Sequence, residues 1–459
     1  MLKNILEYLL RFFFRSIQPA LIFFILFHPT HLAEYEFPTF RLVLDPGHGG
    51  VCMFPRSVHG DRYDPISKTY LDEFRDGASR RNIYEHEIVY SIARKVQKLL
   101  GYCAPGGDFE SFKQILEKYT DGDVKQINII VKMSREKSMS EEKAEKMEDP
   151  NAGYRLFDFP DENDNKQYGR ISKINSFRPH LVVSLHLAGA APDEYKGMNP
   201  VLAAPYRLLE NGLKYLRHEI TDQEYFHEDP LSDWFCESNR RTPFQWHLSD
   251  VSQYFTGFPL DRHLNIEKKE FKGYRQNMVT WRYNDSPGWE QIAIYHFPYS
   301  RYSMDYNDVV PEGRFWEREQ SVYESYRRDG GYEGFGGDNS FASYELIRYI
   351  LYSLNISGNS HPKQVPGKSY VSIWILPMHI NAINAFIELG YLNRQRDRYI
   401  LLNKQEEIAE GIAVGIYSLF AGLTPREKSV KNSPLGKKID LDKYKISNDT
   451  SYFDLVWDE

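Results

Sequence analysis

The chain has 459 residues, 41% hydrophobic and 26% charged, the balance of a globular protein long enough for one large domain with insertions, or for two domains. A net charge of −7 with no basic block excludes a general nucleic-acid binder. Three cysteines, Cys52, Cys103 and Cys236, are too few and too widely spaced for a zinc knuckle or a disulfide framework; they leave one unspecified disulfide open.

The first 33 residues differ from the rest. Lys3, Arg11 and Arg15 precede Ile17 to Phe27, which is apolar except for Gln18. This reads as an export signal with a basic start and a short apolar stretch, below the roughly 20 residues of a full span. Ala33 suits the last position before cleavage and His31 does not, so an uncleaved membrane anchor is the alternative. Either way the expected location is outside the cytoplasm, in the periplasm or cell envelope.

Leu42 to Leu44 then reads as a short buried strand, stopped by Asp45-Pro46-Gly47. His48 falls just past its C-terminal end, on the rim where open α/β sheets hold ligands. A histidine on a stiff turn with two glycines behind it suits a metal ligand; a structural turn histidine is the plainer alternative. Val51 to Arg75 is a polar excursion, closed by Asp76-Gly-Ala78. Glu85 opens an amphipathic helix whose buried stripe is Ile88, Ile92, Val96 and Leu99. Its plainer role is to complement the helix dipole.

Gln126 to Met133 reads as a second strand, residues 136 to 150 as a charged solvated loop or frayed helix, and Gly169 to Phe177 as a short helix. Leu181 to His186 is nearly continuously apolar, as in a central parallel strand, and puts His186 at a second strand end. Val201 to Ala204 follows as a strand and Tyr206 to His218 as a helix. From about 220 to 340 periodicity dissolves into an insertion holding Trp234, Trp246, Trp281, Trp289 and Trp316, with one helix expected over Arg314 to Arg328. The insertion is expected to wall a cleft with flat aromatic faces, to pack on itself, or to act as a lid. Gly330 to Gly337 reads as a flexible loop. It lacks the Lys-Ser/Thr ending of a phosphate loop, which rejects nucleotide binding.

Ser343 to Leu354 reads as a helix, and Val371 to Leu376 and Ala385 to Leu389 as strands. Glu388 stands in an apolar strand end, where burial is costly unless it is paired or metal-linked; exposure on an edge strand is the alternative. Ile408, Ile412, Ile416 and Leu419 mark a last helix, and a polar, lysine-rich tail after Pro425 is expected to be disordered or to lie along the surface. The alternation predicts an α/β fold: a mainly parallel twisted sheet flanked by helices, in one domain over residues 40–424 with a long aromatic-rich insertion.

Four polar residues thus gather at strand ends or a helix start: His48, Glu85, His186 and Glu388. Two histidines and a carboxylate make a tetrahedral zinc site with one position left for water, and suit zinc better than magnesium or calcium. A further carboxylate supplies the general base of a hydrolytic zinc enzyme. Their spacing forms no local motif, so the sequence alone does not bring the four together.

The same residues carry a resemblance. Leu44-Asp-Pro-Gly-His-Gly-Gly50, Asp76-Gly-Ala78, Glu85-His-Glu-Ile88, Arg170 with Asn175, Ser184-Leu-His186, Ile387-Glu-Leu-Gly-Tyr-Leu-Asn393 and Ile408 to Ile416 stand collinear over roughly residues 40 to 420. In that order they resemble the zinc-dependent N-acetylmuramoyl-L-alanine amidases of bacterial cell walls. The resemblance implies Zn²⁺ as cofactor, His48, Glu85 and His186 as its ligands, and Glu388 as the catalytic carboxylate. It implies peptidoglycan as substrate, with the amide between muramic acid and L-alanine as the bond cut. A regulatory activator protein is a further expected partner, and membrane contact is expected only through residues 1–33. Asp45 is expected either to orient a ligand or simply to form the turn. His86 and Glu87 should point away from the site, and His379 should be structural. The chain departs from the family's pattern at Ala188, where an Asn is usual, in the 51–75 excursion and in the long insertion. These departures leave two other readings open: a non-catalytic wall-binding protein on the same fold, and a zinc hydrolase of another cell-wall amide.

Overall fold

The computed structural model describes residues 37–50, 63–64, 69–70, 77–136, 138, 152–156, 158–160, 163, 165–189, 197–203, 221, 224, 336–359, 365–367, 370–372, 376–378, 380–426, 433–444 and 453. The export signal, the 206–218 and 314–328 helices, the tryptophans of the insertion, most of the charged run and His379 lie outside them. By its contacts the chain divides into Met1–Thr39 and Phe40–Glu459; the fold below is that of the second unit.

In chain order its main elements are β1 (Thr39–Pro46), the hairpin β2 (Ser79–Arg80) and β3 (Ile83–Tyr84), α1 (Glu85–Leu100), α2 (Phe109–Leu116), β4 (Asn128–Met133), α3 (Arg170–Phe177), β5 (Leu181–Ala188), β6 (Asn199–Ala203), α4 (Gly336–Ile356), β7 (Tyr370–Ser372), β8 (Ile383–Tyr391), α5 (Gln395–Asn403) and α6 (Gln405–Ala421). Six strands form one sheet in the order β7-β6-β8-β5-β1-β4. The central strand β5 pairs in parallel with β1, from Leu42↔Leu181 to Pro46↔Leu185, and with β8, from Ile383↔Leu181 to Glu388↔His186. β6 runs antiparallel to β8 and parallel to β7, so the sheet is mixed but mostly parallel. This is the α/β architecture expected from the alternation of elements.

Strand alternation assigns each residue a face. Leu42, Leu44, Leu181, Val183, Leu185, Ile383, Ala385 and Ile387 face a core shared with α1, α4 and α6. Val43 and Val182 face the other way, against Ile171 and Ile174 of α3. Strands buried on both faces need an apolar residue at nearly every position, which is why β1 and β5 read as unbroken runs. On the first face α4 and α6 approach closely: a Cβ on Gly411 would stand 2.6 Å from Ile350 Cα. The Tyr349 hydroxyl donates to Ser418 Oγ at 2.9 Å across the same contact.

Several expectations need correction. The tail is not merely a surface segment, because Ile439, Tyr444 and Phe453 are buried in the main core. Its backbone is tied down where Ile439 N–H donates to Leu419 O and Gly436 N–H to Glu345 Oε1. Helix α4 begins at Gly336, inside the stretch read as a loop. Val371 to Leu376 is not one strand: β7 ends at Ser372 and a 3₁₀ turn covers Leu376–Met378. Helix α5 was not anticipated; its exposed Tyr399 and Leu402 blur the apolar stripe. β8 lies inside the sheet, which removes the edge-strand alternative for Glu388. Among the described residues no helix is long and apolar enough to cross a membrane.

Candidate metal centre

The site begins at a turn that the sequence makes unavoidable. β1 ends at Pro46, and Gly47 N–H donates to Leu185 O at 2.9 Å, carrying the chain across the end of β5. The backbone of Gly47 passes so near the His186 ring that a Cβ there would lie 2.2 Å from its Cε1. His48 follows with φ +56°, a left-handed conformation that costs an ordinary residue about 1–3 kcal/mol and persists only when its surroundings impose it. Asp45 does more than form the turn. It is buried, accepts the Ser134 hydroxyl at 2.6 Å, and pairs with Arg170 at 3.1 Å. Arg170 also donates to Pro46 O at 3.1 Å, so the turn is anchored from α3.

Glu85 enters from the opposite side. The β2–β3 hairpin returns the chain so that Ala78 N–H donates to Glu85 Oε2 at 2.6 Å, and Leu187 N–H donates to Oε1 at 2.8 Å. The side chain is 1% exposed. Burial alone would raise its pKa; His48, His186 and the Ala78 amide outweigh it and hold the carboxyl well below the usual range. Its Oε1 stands 3.1 Å from His186 Nδ1 and 3.6 Å from His48 Nε2. The two imidazoles meet edge to face with centroids 4.8 Å apart, and His186 stacks on Phe386 at 4.2 Å.

One ligand atom from each of His48, Glu85 and His186 lies within 4.8 Å of the others. Metal–ligand bonds of about 2.0–2.2 Å in tetrahedral array put neighbouring donors roughly 3.3–3.6 Å apart. The two edges from Glu85, at 3.1 and 3.6 Å, lie close to that spacing, and all three donors fall within 4.8 Å. Two imidazoles and one carboxylate are also the donor types a borderline cation such as zinc takes, so the residues present fit the metal.

Glu388 stands beside them. Its Cα partner on β5 is His186, and adjacent parallel strands place register partners on one face. It is 9% exposed, and its Oε2 has no hydrogen-bond partner among the described residues. Burial and the neighbouring Glu85 charge push its pKa well above the ordinary carboxyl value. A buried carboxyl with an oxygen left unpartnered beside a metal-type cluster is a candidate for chemistry rather than scaffolding.

All four residues singled out from the sequence therefore meet at one rim. His86 and Glu87 do not join them: His86 stacks on Tyr84 and lies 3.6 Å from Glu87. Asn175 ties α3 to the chain before β8, accepting from Asn381 N–H at 2.9 Å. At Ala188 the side chain is buried against Phe386 and Tyr391. Arg135, two residues beyond β4, was missed; it stands between Lys132 and Lys137, and nothing in that pattern singles it out.

No protein-family model matches the chain, and no curated protein sequence matches it. Among solved structures it is similar to the N-acetylmuramyl-L-alanine amidase Ami1 from Mycobacterium smegmatis, at 13% identity and a TM-score of 0.33, over 82% of this chain and 94% of that one. It is also similar to Ami1 from Mycobacterium abscessus, at 11% identity and a TM-score of 0.32, over 82% and 96%. A third is the CwlD amidase of Clostridioides difficile, solved in complex with the GerS lipoprotein, at 12% identity and a TM-score of 0.30, over 82% and 96%. What the site can do is set by its own side chains.

Proposed function

We propose that the protein is a zinc-dependent amide hydrolase of the cell wall that cuts the bond between N-acetylmuramic acid and L-alanine in peptidoglycan. The observation that carries this reading is the convergence of His48, Glu85 and His186 within bonding reach of one cation, with Glu388 unpartnered at their side. His48, Glu85 and His186 would hold the ion. Zinc in such a set acidifies water and polarises a carbonyl. Glu388 Oε2 receives the proton of the attacking water and returns it to the departing L-alanine nitrogen. Glu85, fixed by two backbone amides, keeps its charge and its orientation throughout. His186, held between Gly47 and Phe386, keeps its ring plane.

The reading places the protein in the cell envelope, delivered by residues 1–33, where the polymer is; an activator protein belongs to the same proposal. The test is Glu388→Gln assayed on purified peptidoglycan. New L-alanine amino termini should fall at least about 100-fold while the protein still binds one equivalent of zinc. Full turnover with zinc bound refutes the base. Wild-type protein that binds zinc yet releases no amino termini favours a wall-binding role. Fragments cut elsewhere, seen by mass spectrometry, favour another amide.

A further inference from the structure

We propose that Arg135 is a positioning residue that locks the two backbone segments presenting His48 and Glu85 into one frame. The inference rests on the zinc reading above. Arg135 is 3% exposed, and its guanidinium reaches backbone carbonyls on both sides of the site. Its Nε donates to Pro46 O at 3.2 Å, two residues before His48. Its second terminal nitrogen donates to His86 O, one residue after Glu85. A single planar fork thus spans the end of β1 and the start of α1, which no backbone hydrogen bond between those two segments does among the described residues.

The surroundings hold the fork in place. The guanidinium lies over the Tyr90 ring at 4.9 Å and the Tyr154 ring at 5.4 Å. Tyr154 in turn closes on Gly49, where a Cβ would stand 1.8 Å from the ring. The chain therefore grips His48 from both sides: Arg135 on the carbonyl before it, Tyr154 on the glycine after it. This is the over-determination that a histidine at φ +56° needs. The arrangement is costly, because Arg135 is buried beside the equally buried Arg170, and both donate to Pro46 O. Desolvation first, then the Arg170 charge, lowers its pKa to about 10. An apolar side chain would fill the space without that cost, but would leave both carbonyls without this donor.

The test uses the full-length protein and zinc itself, titrated against a chromophoric chelator, with Arg135→Met and Arg135→Lys beside the wild type. The zinc Kd should rise about 10–100-fold in the methionine variant. Lysine keeps the charge but not the planar fork, so it should restore only part of that loss. Tyr349→Phe, which removes a hydrogen bond between α4 and α6, serves as a destabilised control whose zinc Kd stays at the wild-type value. The visible spectrum of the cobalt-loaded methionine variant should differ from wild type, whereas that of the Tyr349→Phe protein should not. Wild-type zinc affinity in both arginine variants overturns the proposal and leaves the zinc reading intact. An equal loss of affinity in the Tyr349→Phe control also overturns it, since the effect would then follow stability alone. A wild type that binds no zinc overturns both. Should the methionine variant fail to fold, the lysine variant decides: unchanged affinity overturns, a raised Kd supports.

Discussion

The rim at the ends of β1, β5 and β8 and the seam between α4 and α6 are both buried, yet they are built on opposite terms. The seam is closed: its glycines admit backbone contact, and the Tyr349 hydroxyl finds both Ser418 and Leu423 O. The rim keeps what the seam has eliminated: a histidine in a left-handed conformation, a carboxyl oxygen without a partner, and a carboxylate facing two imidazoles. On the proposed reading, stability is the seam's business and ligand chemistry the rim's. Where several such costs meet around one cluster of donors, the proposed reading is that they serve a bound ion.

That division can be broken from either side. The largest effect should come from Gly47→Ala, whose Cβ would meet the His186 ring at 2.2 Å and push it out of register with Glu85. Zinc affinity should fall by about 100-fold, read by chelator competition, with little change in the melting temperature of the metal-free protein. If stability fell instead and affinity held, the contrast between the regions would be wrong. Gly411→Ala is the mirror experiment. Its Cβ would meet Ile350 Cα at 2.6 Å and Tyr349 O at 2.8 Å, neither of which yields as a side-chain tip can. Denaturant unfolding should show a loss of about 2 kcal/mol, with zinc affinity intact.

The smallest effect sharpens the picture on the seam side. Glu345 is fully buried on α4; burial raises its pKa, and the Gly436 amide and Arg348 only partly offset this. A carboxyl that holds its proton more tightly when folded favours the folded state at low pH and loses that advantage as pH rises through its shifted value. The wild type should therefore lose stability relative to Glu345→Gln as pH rises above the ordinary glutamate value of 4.5, by less than about 1 kcal/mol, and the gap should close below it. Parallel stability curves across that window would show that the carboxyl's neighbours fully compensate its burial.

The rim was legible in the sequence because each of its residues interrupts something regular. His48 and His186 end apolar runs, Glu85 starts a stripe, and Glu388 stands inside β8. What those residues share in space was not legible, because it depends on β1 and β8 flanking β5 in register. Arg135 escaped notice because its partners are backbone carbonyls, which leave no trace in a sequence. The tail was misread for a related reason. Ile439, Tyr444 and Phe453 are single apolar side chains among polar neighbours, and isolated anchors have no period to detect.

On the proposed mechanism, the position of β8 sets when the site is complete. It is the last strand of the sheet in the chain, yet it lies between β5 and β6, both made long before it. A ribosome that has delivered everything up to Ala203 has supplied His48, Glu85 and His186, while Glu388 is still unmade. The proposed site therefore stays incomplete until the final strand has threaded into the middle of the sheet. Late insertion of a distant segment is slow by nature, so the topology works as a delay.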